Sequence, residues 1–323
     1  MRPPARAEGF GARRRRVVAF GGGHGLFASL QALRRLDVEL TAVVTVADDG
    51  GSSGRIRREF DVLPPGDLRQ ALVALANDDT PVTATLFQHR FPGGGELGGH
   101  AVGNLMITGL AEILGGAVPA LDYAGAMLGC CGRVLPMAAQ PVEIEAEVVG
   151  LDAADPERTV PVRGQHAVAT TPGHVRRVRL LPEAPAACPE ALEAVRAADA
   201  IVLGPGSWFT SVLPHFLVPA LSDAIVTSSA RRILVLNLST EVETDGWSIE
   251  EHLAALTQHV PKLTVDAVLA DPGAVRDGAR LARAAESLSG RLVVEPVAVA
   301  DGSPLHDPGA LATALRSVLQ APS

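Results

Sequence analysis

Thr45–Arg57 reads TVADDGGSSGRIR, with two adjacent carboxylates, Asp48 and Asp49, closing an apolar run. Gly50, Gly51, Ser52, Ser53 and Gly54 come next, then Arg55 and Arg57. Bare amides and hydroxyls backed by arginine suit wrapping several oxygens of an anion. The paired acids suit ribose hydroxyls, or a hydrated magnesium ion bridging phosphates. A flexible polar loop would use the same residues. Upstream, Phe20–Ala28 reads FGGGHGLFA: Gly21, Gly22, Gly23, His24 and Gly25 link a strand to a helix, and Gly23, Gly25 and Ala28 satisfy G-x-G-x-x-A. Amides at such a helix start favour a pyrophosphate, although a turn that simply needs glycine explains part of the pattern. Asp48 falls roughly twenty residues past these glycines, where the dinucleotide-binding pattern places its ribose-binding acid.

Other residues add to this set. Asp67 follows the Pro64-Pro65-Gly66 break and reads as a helix N-cap, with Gln70 at the capping-box position. Arg69 points away from the face made by Leu68, Leu72 and Leu75, so it is either solvated or in a cleft. His100 precedes a helix whose first turn carries Gly103 and Asn104; a glycine there suggests close backbone approach. Gly204-Pro205-Gly206-Ser207 ends another apolar strand. Asn237–Gly246, with Glu241, Glu243 and Asp245, reads as a solvated acidic loop. His24, His89 and His252 show no metal-ligand spacing.

These residues need strands to carry them. RVVAF (16–20), ELTAVVTVA (39–47), DAIVLG (199–204), RILVLNL (232–238), VDAVLA (265–270) and LVVEPVAVA (292–300) alternate with helical patterns, which predicts βαβ units. A helix is expected over 26–36, a helix-rich stretch up to Leu128, another helix at 248–259 and one at the end. PVEIEAEVV and HVRRVRLLP alternate with period two, so a small antiparallel β insert is expected over about 132–182. The predicted architecture is a Rossmann-like three-layer α/β/α domain, 16–323, with a mostly parallel sheet and a basic tail at 1–15. The four loops at 21–25, 48–57, 204–211 and 237–246 all follow strands at their carboxyl ends, where open parallel sheets bind ligands.

Composition narrows the chemistry. The formal charge of -8 and 3% aromatics argue against general nucleic-acid binding. Lys262 is the sole lysine, so there is no P-loop Gly-Lys-Ser/Thr and arginine is left as the phosphate clamp. Cys130, Cys131 and Cys188 show neither zinc nor disulfide spacing, consistent with a reducing cytoplasm. From Ala200 to Ser222 no formal charge occurs, but Pro205, Pro214 and Pro219 break the run, so no membrane span is expected.

GGGHGL, TVADDGGSSGRIR, LPPGDLRQALVALA, LFQHRF, GHAVGNL, GRVLP, ADAIVLGPGSWFTSVLP and the NLSTEVETDG loop, in that order, closely resemble the YvcK-like gluconeogenesis factors, relatives of the CofD phospholactate transferases. The resemblance runs from residue 16 to about 270. It implies a cytoplasmic protein that binds UDP-sugars such as UDP-N-acetylglucosamine or UDP-glucose and supports cell shape and wall synthesis under gluconeogenic growth. If the protein is an enzyme, it implies a transferase of phosphorus-containing groups that uses a nucleotide-diphosphate-linked donor and magnesium. The site residues it implies are Gly21 to Gly25, Asp48, Asp49, Gly51, Ser52, Ser53, Asp67, Arg69, Asn104, Gly204 and Ser207; residue chemistry adds Gly50, Arg55, His100 and Gly206. Two departures stand out: His24 replaces a threonine or serine, and Val242 replaces a proline-glycine. The alternative of a nicotinamide-dependent oxidoreductase rests on G-x-G-x-x-A alone. A homo-oligomer and protein partners are left open.

Overall fold

The computed structural model describes residues 13–239 and 247–321. The expected loop residues Glu241, Val242, Glu243, Asp245 and Gly246, and the tail as far as Ala12, lie outside the described residues. In chain order the strands are β1 (Arg15–Gly21), β2 (Val38–Val44), β3 (Gly132–Pro136), β4 (Glu143–Val149), β5 (Val160–Arg163), β6 (His174–Leu181), β7 (Ala200–Leu203), β8 (Arg231–Val235), β9 (Ala267–Ala270) and β10 (Arg291–Val294). The helices that matter first are α1 (Gly23–Leu33), α2 (Gly51–Phe60), α3 (Pro65–Leu75), α4 (Pro81–Gln88), α5 (Val102–Leu114), α6 (Ala117–Met127) and the short α7 (Gln165–Ala169). After them come α8 (Pro189–Ala197), α9 (Pro219–Thr227), α10 (Ile249–His259), α11 (Gly278–Glu286) and α12 (Pro308–Gln320).

Seven strands form one parallel sheet in the order β10-β9-β8-β7-β1-β2-β3. β1 is an interior strand between β7 and β2, and its Val17, Val18, Ala19 and Phe20 are all buried. That is why VVAF is a continuous apolar run, not an alternating one. Crossovers step outward in opposite directions from β1 and β7, and helices lie on both faces of the sheet. α1 packs with α3 and α12, and α8 packs with α9. The chain reverses its direction of winding between β1 and β7, so their carboxyl ends open a crevice at a topological switch point.

Several boundaries differ from the sequence reading. Gly132–Pro136 belongs to the main sheet, paired in parallel with β2 from Leu40↔Gly132 to Val44↔Pro136. The antiparallel insert therefore starts at β4, as a three-stranded sheet ordered β5-β4-β6. Val134, Leu135 and Pro136 are buried, so this strand carries none of the wet-face alternation of its neighbours. α1 begins at Gly23, which puts the second half of the glycine run inside the helix. The run GSSGR is the first turn and a half of α2 and not an open loop. Pro296 ends the last apolar run early, leaving β10 at Arg291–Val294. The tail also ends sooner than expected: Arg13 bonds Asp199 at 2.7 Å and Arg15 already lies in β1.

Candidate functional site

Four helix starts meet beside the switch point. α1 begins directly after β1, and α2 begins after β2 has run on through the buried Thr45–Ala47. α3 and α5 bring their first turns against them. Aligned backbone dipoles make such starts electropositive and leave N–H groups for an anion. Close packing depends on glycine at Gly25, where a Cβ would run into the carbonyl of Pro205 and bar the 204–207 loop from α1.

Asp67 is the most deeply placed acid. It is 8% exposed, accepts a hydrogen bond from Thr45 Oγ1 at 3.2 Å and lies under Gly22 and Gly23. It is not the N-cap. α3 starts with Pro65 at its first position, which makes Pro64 the cap and moves Asp67 to the third helical residue, facing inward. Burial, with the Asp48 charge adding to it, pushes its carboxyl up from 3.8 to about 7. Thr45, buried and polar in an apolar strand, is the partner that sequence reasoning passed over; its place in TAVVTVA is the signal.

Asp48 and Asp49 part company. Asp48 Oδ1 accepts the amide of Gly50 at 2.9 Å while its other oxygen lies toward Gly66 and Asp67. Asp49 turns to the insert and accepts the amide of His166 at 3.0 Å, at the start of α7. Adjacent residues leaving a strand point oppositely, and here only Asp48 faces the crevice. The expected Asp48–Asp49 metal pair is therefore not formed. Among the described residues no cluster of three or more His, Cys, Asp or Glu side chains could hold a metal ion. The carboxylate that joins Asp48 is Asp67.

Arg69 is neither solvated nor exposed. It is 3% exposed, its Nε donates to Asn104 Oδ1 at 2.9 Å, and its Nη1 is buried with no hydrogen-bond partner among the described residues. Burial, with Arg90 nearby, lowers its pKa to about 10, so it stays charged at neutral pH. From Asn104 the network continues: Asn104 Nδ2 donates to Ser52 Oγ at 3.0 Å, and Ser52 Oγ lies 3.0 Å from His100 Nδ1. Since Asn104 and the Ala101 amide both donate to Ser52 Oγ, the hydroxyl proton goes to His100 Nδ1, and the ring's other nitrogen carries the hydrogen. Burial holds His100 below its usual pKa, in keeping with that neutral form. Gly103 makes its close approach to the protein's own Phe87 and Arg69.

The remaining expected residues divide. Gly21 and Gly22 are buried and Gly23 and Gly25 partly so, whereas His24 is exposed. Ser53 is buried against Gly66, while Gly50 and Gly51 lie at the surface end of α2. Arg55 is directed elsewhere; its Nη2 donates to Gly98 O at 2.7 Å and ties down the loop before α5. Gly204 O accepts from Ser29 Oγ at 2.9 Å, and Ser207 Oγ accepts the Thr210 amide at 3.1 Å, capping a π-helical turn at Trp208–Val212. Asn237 clamps Gly206 from both sides, accepting its N–H at 2.8 Å and donating to its carbonyl at 3.0 Å. A larger cavity, about 710 Å³, lies elsewhere, between the insert and α10. Its buried Glu145 is already paired with Arg163 and Arg179, so it offers less unmet chemistry than the crevice.

Residues 17–297 match the family model of 2-phospho-L-lactate transferase CofD. The chain belongs to the CofD-like family. Within it, a Mycobacterium tuberculosis protein described as "Putative gluconeogenesis factor" is 56% identical over 308 residues, covering 94% of this chain and 90% of its own length. The gluconeogenesis factor of Listeria monocytogenes is 42% identical over 255 residues, covering 79% of this chain and 76% of its own. A crystal structure of a UPF0052 family member from Bacillus halodurans superposes with a TM-score of 0.84 at 35% identity, over 95% of this chain and 100% of that one. The YvcK-like resemblance and the α/β fold of this CofD-like chain thus rest on sequence and structure together. No single helix among its described residues is long and apolar enough to cross a membrane.

Proposed function

We propose that the chain binds a nucleotide-diphosphate sugar of the UDP-N-acetylglucosamine or UDP-glucose class at the switch-point crevice and acts as a regulator, in the manner of a gluconeogenesis factor. The observation that carries this is the buried Arg69, whose Nη1 has no partner, set among converging helix starts. A buried guanidinium with an unmet N–H is costly unless something anionic completes it. A pyrophosphate at Gly21 to Gly25 would do so. Asp48, together with Asp67, would hold a hydrated magnesium ion, which supplies charge neutralisation for the phosphates. A cytoplasmic location and a role in cell shape and wall synthesis belong to the same proposal; the relatives' description supports its gluconeogenesis-factor part.

A second reading follows from the family model itself, which is that of a transferase. On that reading the same crevice holds a nucleotide-diphosphate-linked donor, and an acceptor must enter beside Asp48 and Asp67. Calorimetry with UDP-N-acetylglucosamine, guanosine diphosphate compounds, NAD and NADP, each with and without magnesium, separates the readings. UDP-sugar binding without turnover is expected. Binding of NAD alone would overturn both. Arg69→Ala is expected to weaken UDP-N-acetylglucosamine at least tenfold, about 1.4 kcal/mol; unchanged affinity would place the phosphates elsewhere.

A further inference from the structure

A second cavity, of about 250 Å³, opens at the carboxyl ends of β8 and β9, on the sheet edge that carries the crevice. Asn237, Ser239, Trp247, His252, Gly273 and Arg276 are among its lining residues. Asn237 is a shared wall: its side-chain amide clamps Gly206 of the glycine loop, and the residue also lines this cavity. Rings continue the connection. Trp208, next to Ser207, stacks on His252 with centroids 5.5 Å apart and planes 22° apart, and His252 in turn lies 5.7 Å and 33° from Trp247. Phe209 props Trp247 edge-on at 5.6 Å.

His252 is the unexplained member. It is 2% exposed, and its Nε2 is buried with no hydrogen-bond partner among the described residues. A buried polar atom in a native fold normally has a partner, so this one marks a place for a ligand atom. Burial lowers its pKa to about 4, so the ring is neutral at physiological pH and offers one N–H and one lone pair, suited to the edge of an uncharged heterocycle and not to a phosphate. Arg276, exposed and without an ion pair among the described residues, supplies the cation nearby. The volume is below the about 300–1,000 Å³ of pockets for drug-sized ligands, which suits a single ring system.

We propose that this cavity takes the heterocyclic base of a nucleotide diphosphate, with Trp247 as its stacking face and His252 Nε2 as its hydrogen-bond partner. The inference rests on the reading above, that the phosphates lie at the glycine loops. Trp208 and Trp247 are the chain's two tryptophans, so Trp208→Phe leaves Trp247 as the lone indole reporter. UDP titrated into that variant should quench its fluorescence, and inorganic pyrophosphate should not. Trp247→Ala should weaken UDP at least tenfold, about 1.4 kcal/mol, as expected for lost base stacking. Its pyrophosphate affinity should match that of the wild type. His252→Phe keeps a ring in the stack and should weaken UDP alone, guarding against misfolding as the cause.

If UDP binds in an Arg69-dependent way but neither quenches Trp247 nor responds to Trp247→Ala or His252→Phe, the base site is wrong and the phosphate crevice stands. If UDP quenches Trp247 while Arg69→Ala leaves pyrophosphate and UDP affinity unchanged, the crevice reading is wrong and the base site stands. If the wild type binds neither UDP nor pyrophosphate, both fall.

Discussion

Asp67 offers the sharpest test of the site's electrostatics. Its carboxyl stands at about 7 in the fold against 3.8 in an unperturbed chain, mainly through burial and then through Asp48. A carboxyl raised on folding binds more protons folded than unfolded between those values, so the fold loses stability as pH climbs through that window. At 1.36 kcal/mol per pH unit, the ionised Asp67 costs the ligand-free protein about 4 kcal/mol by pH 8. Asp67→Asn keeps an oxygen to accept from Thr45 Oγ1 and the Gly23 amide but cannot ionise. Urea denaturation of both proteins from pH 4.5 to 8, without divalent cations, should show the smallest difference at the acid end, where about 1 kcal/mol of the effect is already present. The variant should pull ahead by a few kcal/mol at pH 8. Groups not coupled to Asp67 cancel in the difference, which leaves Asp67 and its neighbour Asp48. A difference that does not change with pH would refute the assignment of this proton to Asp67, and magnesium should narrow the gap if a cation sits between Asp48 and Asp67.

Two further outcomes follow from the hydrogen-bond network. Ser52→Ala leaves His100 Nδ1, Asn104 Nδ2 and the Ala101 amide short of a partner and should lower stability by about 1–3 kcal/mol, measured by chemical denaturation. Asp49→Ala frees the His166 amide, so hydrogen exchange should quicken across 164–170 while UDP-N-acetylglucosamine affinity changes far less than in Arg69→Ala.

The edge on which the site lies was readable from the sequence, because strand–glycine–helix order places loops 21–25, 48–57 and 204–211 at carboxyl ends whatever the detailed register. Roles within the site were not. Whether Asp67 caps α3 or faces inward turns on a shift of a few residues in the helix start, and Pro65 at the first helical position was the clue. Asp48 and Asp49 could be told apart only once the partner of each was known, and that partner lies more than a hundred residues away for Asp49. Arg55 fits an anion clamp in composition, but a nearby loop carbonyl takes it first. GRVLP looked like part of the insert because burial on both faces removes the alternation that would have set it apart from the wet strands beside it.

α7, five residues long, touches both walls of the crevice: its first turn is held by Asp49, and its body packs against the π-helical turn that follows Ser207. The excursion from β3 to β7 is thus more than an ornament on the sheet's edge. Lengthening the outer connection between β4 and β5 would pass unnoticed at the glycines. Adding or removing one residue between Gly164 and Ala169 would shift the Asp49 and Ser207 loops together, so the insert sets the spacing between two halves of a sheet it does not belong to.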